Sequence, residues 1–313
     1  MKPKIAVLMG GRSLERSVSL KSGRRIARAL TERGYRVLEL DVDETLVPVL
    51  MSKQPDLVYI ALHGKGGEDG TVQELLEILG IPYTGPGPLP SIIGFNKVLS
   101  KELFIANGIK TPKYFTISSS ALEEMGASSL LGRAWESLGS PIVVKPAAQG
   151  SALGVRIVED VGDLGPALIE ALGYDDRVLL EEYIQGTEIA VSVIGDESPE
   201  ALPAVEVVPE SGFFDFDARY TAGKTEYFVP ARLKDGVASE ASRIAIEAHK
   251  LLRCKGLSRV DMIIRDDVVH VLELNISPGM TETSLLPLAA EAAGMPFADL
   301  VERVVTMALQ ASA

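Results

Sequence analysis

The chain has very little of the two residues that build most zinc sites. It contains one cysteine, Cys254, and three histidines among 313 residues. A single cysteine forms no internal disulfide and excludes a cysteine-based zinc site. Three histidines argue against a multi-histidine metal centre. The low cysteine count suits a reducing compartment, so we expect the protein in the cytoplasm.

Positive charge and long apolar runs are also scarce. The 31 Lys and Arg residues face 43 Asp and Glu residues, so the formal net charge is −12. A surface of that sign repels phosphate backbones and anionic lipid. No apolar run approaches the roughly 18 residues of a membrane span, and the opening run from Ile5 to Met9 is too short for a signal-peptide core. We therefore predict no nucleic-acid partner and no membrane association.

What the chain does have is enough apolar sequence for a core, arranged as strands that alternate with helices. Hydrophobic residues make up 46% of the chain, and the alternation indicates an α/β fold with a parallel sheet at the N-terminus. The Gly- and Pro-rich stretch 80–90 predicts the first domain boundary, because it should not form regular structure. Strands are predicted at 4–9, 35–40, 57–62, 141–145, 178–183 and 188–194, and helices at 19–33, 97–107 and 239–252.

The first glycine-rich loops do not match a standard nucleotide fingerprint. Segment 10–15 (GGRSLE) follows a strand and precedes a helix, but its spacing is not G-x-G-x-x-G. Residues 223–225 end like a Walker A motif, but Ala218 stands where that motif needs its leading glycine. Segment 63–70 (HGKGGEDG) has four glycines in eight residues, at the strand end where open α/β sheets bind ligands.

Two lysines could meet a polyphosphate. Lys145 ends an apolar strand and is followed by the small-residue loop 146–154, which contains Ser151. Such a loop can fold over phosphates through its backbone N–H groups while the lysine supplies charge. Lys97, at the start of a predicted helix, is a second candidate. The region 213–229 lacks periodicity and is predicted to be a long functional loop.

The strongest local pattern is a hairpin over 258–275. A three-residue loop at 266–268 would pair Asp261 with Glu273 and Arg259 with Asn275, so that all four polar groups share one face. Two facing carboxylates would repel each other without a cation. Their oxygens, with that of Asn275, suit Mg²⁺ bound together with substrate phosphates.

These blocks, together and in this order, resemble the D-alanine–D-alanine ligases of the ATP-grasp superfamily. The resemblance covers nearly the whole chain, and the ordered set is far more specific than any single block. The matching pieces are 10–15 with 18–20, 63–70, 145–154, 181–184 with Glu188, Arg219 with Tyr220, 259–261, and 273–281 with Ser284 and Leu285.

The resemblance implies a fold and a reaction. It implies an N-terminal parallel α/β (Rossmann-like) domain, 1–95, followed by a two-part ATP-grasp fold with a central domain, 96–186, and a C-terminal domain, 187–313. It implies that ATP phosphorylates one D-alanine and that the amine of a second attacks the acyl phosphate. The dipeptide D-alanyl-D-alanine would serve peptidoglycan precursor synthesis, and the family expectation is a homodimer.

The resemblance also implies a role for each matching residue. The catalytic residues would be Glu15, Ser151, Tyr220, Arg259 and Gly279. The residues that bind ATP would be Lys97, Lys145, Glu181, Tyr183, Ile184, Glu188, Phe213 and Arg219. The D-alanine substrates would meet His63, Ser284 and Leu285. Two Mg²⁺ or Mn²⁺ ions would be held by Asp261, Glu273 and Asn275.

The chain departs from the usual family pattern at a few positions. Arg16 and Ser17 stand where His and a second acidic residue are common, Arg219 stands where many members have Lys, and 276–277 differs before Pro278. None of these changes removes a group that the chemistry requires, and Arg219 keeps the charge in a different geometry.

Three other functions are alternatives to D-alanine–D-alanine ligation. A related ATP-grasp ligase could join other amino acids, or join D-alanine to a hydroxy acid. A nicotinamide-dependent oxidoreductase needs a phosphate fingerprint whose spacing fails here. A non-catalytic nucleotide-binding regulator would have lost at least one of Arg259, Asp261, Glu273 and Asn275, and all four are present.

Overall fold

The computed structural model describes residues 2–221 and 223–311, and these form three β-sheets with helices packed around them. The strands are β1 Lys4–Met9, β2 Arg36–Asp41, β3 Leu57–Ile60, β4 Tyr114–Ser118, β5 Ile142–Pro146, β6 Arg156–Val158, β7 Arg177–Glu182, β8 Thr187–Ile194, β9 Glu200–Ala201, β10 Val205–Pro209, β11 Thr225–Phe228, β12 Leu257–Arg265 and β13 Val268–Asn275.

The α-helices connect these strands and cover the sheets. They are α1 Arg16–Glu32, α2 Leu46–Lys53, α3 Thr71–Leu79, α4 Pro88–Phe95, α5 Lys97–Ala106, α6 Ser119–Glu124, α7 Leu131–Leu138, α8 Leu164–Leu172, α9 Phe216–Tyr220, α10 Asp235–Leu251, α11 Leu285–Ala292 and α12 Phe297–Gln310. Short 3₁₀ turns lie at Ala127–Leu130 and Val161–Asp163. No helix in these described ranges is long and apolar enough to cross a membrane.

The N-terminal sheet is parallel, as the alternation of strands and helices predicted. Its order is β2-β1-β3, and the central strand β1 is buried along nearly its whole length. Such a strand reads as a continuous apolar run because both faces of the sheet are covered. The carboxyl ends of β1 and β3 lead into the loops 10–15 and 61–70, which are thereby brought to one edge of the sheet.

The central sheet is antiparallel and has the order β4-β7-β5-β6. Helix α8 packs its apolar side on this sheet, with Leu164 and Leu168 in a cluster that also contains Ile142 and Leu180. Strand β5 lies between β7 and β6 and ends with Lys145 and Pro146, so the loop that follows starts at the end of an interior strand. Helix α5 precedes this sheet in sequence and is capped by Asn96, whose side-chain oxygen accepts from the N–H of Val98 at 3.0 Å.

The C-terminal sheet has six strands in the order β11-β10-β8-β12-β13, and β9 pairs with β8. Helix α10 packs on one face, where Ala241 and Ala245 meet Val260. Helices α11 and α12 pack on the other face, in a core that also receives Ile26 of helix α1. Burying one large aliphatic side chain stabilises a fold by roughly 1.5–3 kcal/mol, so this shared core holds the first and last parts of the chain together.

The hairpin β12–β13 has the residue pairing that the sequence predicted, but its loop is shorter than predicted. Asp261 pairs with Glu273 and Arg259 with Asn275, as predicted. The loop, however, has two residues, Asp266 and Asp267, both with positive φ (52° and 62°), so the prediction of a three-residue loop was wrong. A bulge between the pairs of Asp261 and Met262 adds one residue to β13 and restores the register.

Two other predictions about irregular regions were wrong in part. Segment 213–229 contains helix α9 and strand β11, which pairs with β10, so it is not an irregular loop throughout. The side chain of Asp215 caps α9 by accepting from the N–H of Ala218 at 2.8 Å. In segment 80–90, the last three residues begin helix α4, and Pro88 takes the first position, where its missing N–H costs nothing.

We propose three domains with boundaries at 1–95, 96–186 and 187–313. Each interval contains one of the three sheets, and each proposed boundary lies between the last strand of one sheet and the first strand of the next.

Candidate active site

Two adjoining cavities contain every residue to which the sequence assigned a role. The larger has a volume of about 470 Å³ and lies between the central and C-terminal sheets. The smaller, of about 70 Å³, lies where the loops of the N-terminal sheet meet the other two sheets. Both are lined by Lys97, Gln149, Phe214, Arg219 and Glu273, so the two cavities share a wall.

The predicted residues are distributed over both cavities, and the three predicted metal ligands are split: Asp261 lines the larger, Asn275 the smaller and Glu273 both. The larger cavity is lined by Lys145, Glu181, Tyr183, Ile184, Glu188, Phe213 and Asp261, in addition to the shared residues. The smaller cavity is lined by Glu15, His63, Ser151, Tyr220, Arg259, Asn275, Gly279, Ser284 and Leu285. The structure thus brings together residues that lie up to 270 positions apart, from Glu15 to Leu285.

A chain of three side chains joins the three parts of the molecule at the smaller cavity. The hydroxyl of Ser151 donates to Glu15 Oε1, and it lies 2.8 Å from the hydroxyl of Tyr220. Glu15 comes from the loop after β1, Ser151 from the loop after β5, and Tyr220 from helix α9. Gly150 allows this contact, because a Cβ atom there would lie 2.7 Å from Glu15 Oε2.

The second oxygen of Glu15 is buried and unused. Glu15 Oε2 has no hydrogen-bond partner among the described residues. Burial, together with the nearby carboxylate of Glu68, raises the pKa of Glu15 to about 7, although the hydrogen bond from Ser151 opposes this. A buried carboxylate oxygen without a donor is costly. An ammonium group in the smaller cavity would supply the missing donor and favour the charged carboxylate.

His63 lies next to this carboxylate, on the same edge of the N-terminal sheet. Its Nδ1 is 3.4 Å from Glu68 Oε1, and its Nε2 is 3.3 Å from the hydroxyl of Ser22. Burial alone would lower the pKa of His63, but the carboxylates of Glu68 and Glu15 outweigh it and raise the pKa. Glu68 also lines the cavity; the sequence showed it only as one polar group of a glycine-rich loop.

The lysines of the larger cavity are held by carboxylates and a carbonyl. Lys145 Nζ lies 2.5 Å from Glu181 Oε2. Lys97 Nζ donates to the carbonyl of Gln149 at 2.5 Å and lies 3.2 Å from Glu273 Oε2. Burial would raise the pKa of Glu181, but its lysine partners outweigh burial and lower it. The ammonium group of Lys97 is therefore fixed at the wall that both cavities share, and that of Lys145 near the C-terminal end of β5.

Lys101 is a functional candidate that sequence reasoning missed. It lies one helical turn after Lys97 on α5, its side chain is completely buried, and it pairs with Glu181. Burial lowers the pKa of Lys101 to about 8, and Glu181 partly opposes this shift. The only available signal was the four-residue spacing from Lys97, which is equally typical of two lysines on a solvent-exposed helix face.

The polar face of the β12–β13 hairpin meets both cavities. Arg259 forms a two-point ion pair with Asp261, with Nε 2.6 Å from Oδ1 and Nη2 2.8 Å from Oδ2. Asn275 Oδ1 accepts from the N–H of Ser277 at 3.0 Å, which fixes the amide. Burial would raise the pKa of Glu273, but Lys97 and Arg219 outweigh it and lower the pKa to about 2. Glu273 therefore stays ionised at neutral pH.

These hairpin residues fit a hard divalent cation. Two carboxylates and an amide oxygen are the oxygen donors that Mg²⁺ and Mn²⁺ prefer, and such ions usually complete their shell with substrate phosphates and water. Across 2–221 and 223–311, no group of three or more His, Cys, Asp and Glu side chains is arranged to hold a metal ion. Asp261, Glu273 and Asn275 offer at most three protein side chains, and both oxygens of Asp261 are paired with Arg259, so the rest of an ion's shell would have to come from water and a phosphate-bearing ligand.

Arg219 belongs to the shared wall, and Glu188 lines the larger cavity only. Arg219 packs over the ring of Phe214 at 4.4 Å from its centroid and donates from Nε to the carbonyl of Phe214 at 3.0 Å. Burial raises the pKa of Glu188 to about 7; Arg219 opposes this, and the carboxylate of Asp261 adds to it. Phe214, next to the predicted Phe213, is a second residue that the sequence did not single out.

The floor of the smaller cavity is the turn before helix α11. The Ser284 hydroxyl accepts from the N–H of Thr281 at 3.0 Å, and Ser284 is the residue before the first turn of α11. A Cβ atom at Gly279 would lie 2.8 Å from the Ser284 hydroxyl. Glycine at 279 therefore lets the backbone pass close to the helix start, where free N–H groups can bind an anion.

A nucleotide-sized cavity between two antiparallel sheets, with lysines and a carboxylate hairpin on its walls, places the chain in the ATP-grasp class of ATP-dependent ligases. Comparison with known families makes this specific. The model described as D-ala D-ala ligase C-terminus matches residues 103–306, and the one described as D-ala D-ala ligase N-terminus matches 48–86. The chain belongs to the D-alanine–D-alanine ligase family.

Similar proteins agree over the full length of the chain. A D-alanine–D-alanine ligase from Moorella thermoacetica is 44% identical over 308 residues, which are 98% of this chain and 99% of that one. One from Desulforamulus reducens is 42% identical, again over 98% of this chain and 99% of that one.

Solved structures give the same picture. The D-alanine–D-alanine ligase from Bacillus anthracis complexed with ATP has a TM-score of 0.83 and 32% identity, covering 99% of this chain and 98% of that chain. The VanG D-Ala:D-Ser ligase from Enterococcus faecalis has a TM-score of 0.82 and 27% identity, covering 98% of this chain and 100% of that chain. The predicted fold, a parallel N-terminal α/β sheet followed by an ATP-grasp, is confirmed.

Proposed function

We propose that the chain joins two D-alanines in two steps at the wall shared by the cavities. ATP in the larger cavity would phosphorylate the carboxylate of a first D-alanine in the smaller one, giving D-alanyl phosphate and ADP. The amine of a second D-alanine would then attack, and phosphate would leave. The overall reaction follows from the family: the chain is an ATP-dependent ligase that forms D-alanyl-D-alanine for peptidoglycan precursor synthesis.

One observation supports this proposal more than any other. Lys97, Arg219 and Glu273 line both cavities. A phosphoryl group at the end of the larger cavity and a carboxylate in the smaller one would therefore meet the same charged side chains. Binding two reactants side by side converts a bimolecular step into an effectively unimolecular one. This effect accounts for a large part of the rate enhancement of many enzymes.

The first D-alanine would be held by its ammonium group. Glu15 Oε2 is the buried oxygen that lacks a donor, and an ammonium is a donor of the right charge. Ser151 and Tyr220 would keep this carboxylate in position through their hydrogen bonds. His63 would lie near the same substrate, with its ring fixed by Glu68 and Ser22.

ATP would lie along the larger cavity. Lys97, Lys145 and Arg219 would bind its phosphates, and Glu188 would accept hydrogen bonds from the ribose. Glu181, Tyr183, Ile184 and Phe213 would surround the adenine; the Glu181 carboxylate is already paired with two lysines, so its backbone would meet the base. Asp261, Glu273 and Asn275 would hold two Mg²⁺ or Mn²⁺ ions, which would neutralise charge on the phosphates.

The second D-alanine and the developing oxyanion would be bound at the turn 279–285. Ser284, Leu285 and the backbone N–H groups at the start of α11 would bind the carboxylate. Arg259, which is buried and always charged, and the N–H of Gly279 would stabilise the oxyanion of the tetrahedral intermediate. Donors that are fixed in advance need no reorganisation when that charge appears.

We also propose a cytoplasmic location and a homodimer. The single, buried Cys254 suits a reducing compartment, and the ATP and D-alanine that the reaction consumes are cytoplasmic metabolites. The dimer is the family expectation, and gel filtration with light scattering would test it.

The test of the function is a substrate panel. The purified chain would be supplied with ATP and Mg²⁺ and with D-alanine, L-alanine, D-serine or D-lactate, alone and in pairs with D-alanine. ADP release and product mass would be measured. We expect D-alanyl-D-alanine as the main product and one ADP for each peptide bond. A main product with D-serine or D-lactate as the second unit would overturn the assignment of the second substrate, and ADP release without any condensed product would overturn the ligase reaction.

A further inference from the structure

A third cavity opens beside the active site, and its charge is opposite to that of the molecule. It has a volume of about 660 Å³, and one wall is formed by Lys21, Arg24, Arg25 and Arg28 of helix α1. Residues three, four and seven positions apart lie on one face of a helix, so these cations point the same way. In a chain of net charge −12, this is a local concentration of positive charge. We call this cavity the basic groove.

The basic groove adjoins the smaller cavity of the active site. Its other walls include Phe216 and Tyr220 of helix α9 and the segment Thr281 to Thr283. Tyr220 and Thr283 line the smaller cavity as well. The hydroxyl of Thr283 donates to the carbonyl of Arg219 at 3.3 Å, which closes the seam between the two cavities. The seam lies immediately before Ser284, the residue proposed to bind the second substrate's carboxylate.

Two of the four cations already have structural partners. Arg25 donates to the carbonyls of Met280 and Thr281 at 3.0 and 2.7 Å and stacks over the ring of Phe297. Arg28 pairs with Glu32, four residues on, at 2.9 Å. The contacts of Arg25 tie helix α1 to the segment that contains Met280 and Thr281, whereas the pair of Arg28 with Glu32 lies within the helix.

The other two cations are available to a ligand. Lys21 and Arg24 are exposed, and neither forms a salt bridge with any carboxylate in the described ranges. Arg25 contributes further positive charge from the same wall. The lining contains one carboxylate, that of the exposed Glu282, which acts on Arg25 together with Glu291. An anionic group that enters the basic groove would therefore meet Lys21 and Arg24 as unpaired cations, and positive charge exceeds negative charge in the lining by four side chains to one.

We propose that the basic groove is an outer binding site for the carboxylate of the second amino acid, and that Lys21 and Arg24 capture this group before the amino acid enters the smaller cavity. The proposal rests on the proposed function, because it needs a second amino-acid substrate. D-alanine has no net charge at neutral pH, so the cations would act by turning its carboxylate toward helix α1. This attraction is short-ranged and weakens with salt.

The test is a double charge reversal with a matched control. Lys21→Glu/Arg24→Glu is compared with Lys110→Glu/Arg133→Glu, which changes the net charge equally at two exposed positions that form no salt bridge in the described part of the chain. The rate is measured against D-alanine concentration at saturating ATP, and the Michaelis constants of the first and second D-alanine are fitted separately. Each series is run at low and high salt.

The expected result is a rise in the second Michaelis constant alone. Two exposed cations of this kind should change it by about threefold to tenfold, while the constants for ATP and for the first D-alanine stay unchanged. High salt should raise the second constant of the unmodified chain and of the control, and should have little effect on the charge-reversed variant.

Two outcomes would overturn the proposal. A second Michaelis constant equal to that of the control would show that the basic groove takes no part in binding the amino acid. A change confined to product inhibition by inorganic phosphate would assign the groove to phosphate release instead. Both are distinct from failure of the proposed function, in which the unmodified chain would form no D-alanyl-D-alanine.

Discussion

Lys101 and Glu181 form an ion pair inside the protein, with side chains that are 0% and 2% exposed. Glu181 also holds Lys145, which faces the larger cavity. A lysine that touches no proposed ligand thus sets the position of one that does. The arrangement has a cost, because burial lowers the pKa of Lys101 to about 8, and the pair stabilises the fold only while both charges are present.

Replacing Lys101 by Met should therefore damage both the fold and ATP binding. The carboxylate of Glu181 would keep only Lys145, which would be drawn toward it, so we expect a loss of about 3–5 kcal/mol in the free energy of unfolding and a higher Michaelis constant for ATP. Urea unfolding and steady-state kinetics would measure these effects. Lys110→Met, at an exposed lysine, is the matched control. A Lys101→Met chain with the stability and ATP affinity of that control would contradict the positioning role.

The hairpin carboxylates give a prediction about divalent cations. Glu273→Gln keeps the shape of the side chain and removes the charge, so charge neutralisation worth several kcal/mol should be lost. We expect turnover to fall by about a hundredfold or more and the concentration of Mg²⁺ or Mn²⁺ needed for half-maximal activity to rise. Circular dichroism would check that the fold is kept. Activity close to that of the unmodified chain, at the same metal concentration, would refute the metal assignment.

Glu15 gives a prediction about stability and pH. Its pKa is raised from 4.5 to about 7 in the folded protein, so between these values the folded state holds a proton that the unfolded state has lost. Stability from this group therefore falls as pH rises from 4.5 through 7. Glu15→Gln lacks this penalty and should be more stable than the unmodified chain by about 1–3 kcal/mol at pH 8, while losing ligase activity.

This effect is checked by urea unfolding at several pH values without substrate. The advantage of Glu15→Gln should be largest at pH 8 and should shrink toward pH 4.5, where the carboxyl is protonated in both states. An equal difference at every pH would mean that packing, not the raised pKa, is responsible. With D-alanine bound, the unmodified chain should recover the deficit, because the ammonium group then favours the charged carboxylate.

Tyr220 should influence which second substrate is used. Tyr220→Phe removes one hydrogen bond to Ser151, worth about 0.5–1.5 kcal/mol, and should lower dipeptide synthesis modestly. D-alanine must lose a proton before its amine attacks, whereas D-lactate has no ammonium group. The variant should therefore make more D-alanyl-D-lactate as the pH falls. Competition between D-alanine and D-lactate at two pH values measures this; an unchanged product ratio at both would move the role to Ser284 and its neighbours.

The sequence predicted the hairpin pairing correctly and its loop wrongly, for a physical reason. Asp261 was matched to Glu273 because polar residues alternate with apolar ones along each strand. A two-residue turn of Asp266 and Asp267 would have broken that match if the strands had been regular, but the bulge restores it. The bulge appears in the sequence only as a change of apolar phase along β13, from Val269 and Val271 to Leu274, which does not by itself give the loop length.

The sequence did not predict the residues that position other site residues. The sequence shows Glu68 as a polar group at the ligand-binding end of a strand and Lys101 as an ordinary helix residue, but it does not show that both are buried, because burial is decided by distant segments. The contact between Glu15 and Ser151, 136 positions apart, joins two residues that only the family resemblance placed in one group. No local pattern specifies such a pair, because it arises where separate sheets meet.

The two cavities differ in how much of the molecule each one needs. Residues that line the larger cavity all lie at position 97 or beyond, whereas the smaller cavity also requires Glu15, His63 and Glu68 from the first sheet. With the ligands proposed above, nucleotide binding would depend on residues from 97 onward, whereas amino-acid binding would need residues from both parts of the chain. Substitutions in the first 95 residues would then change amino-acid binding without altering a residue that lines the larger cavity. Local unfolding of that segment should abolish amino-acid binding before it abolishes nucleotide binding.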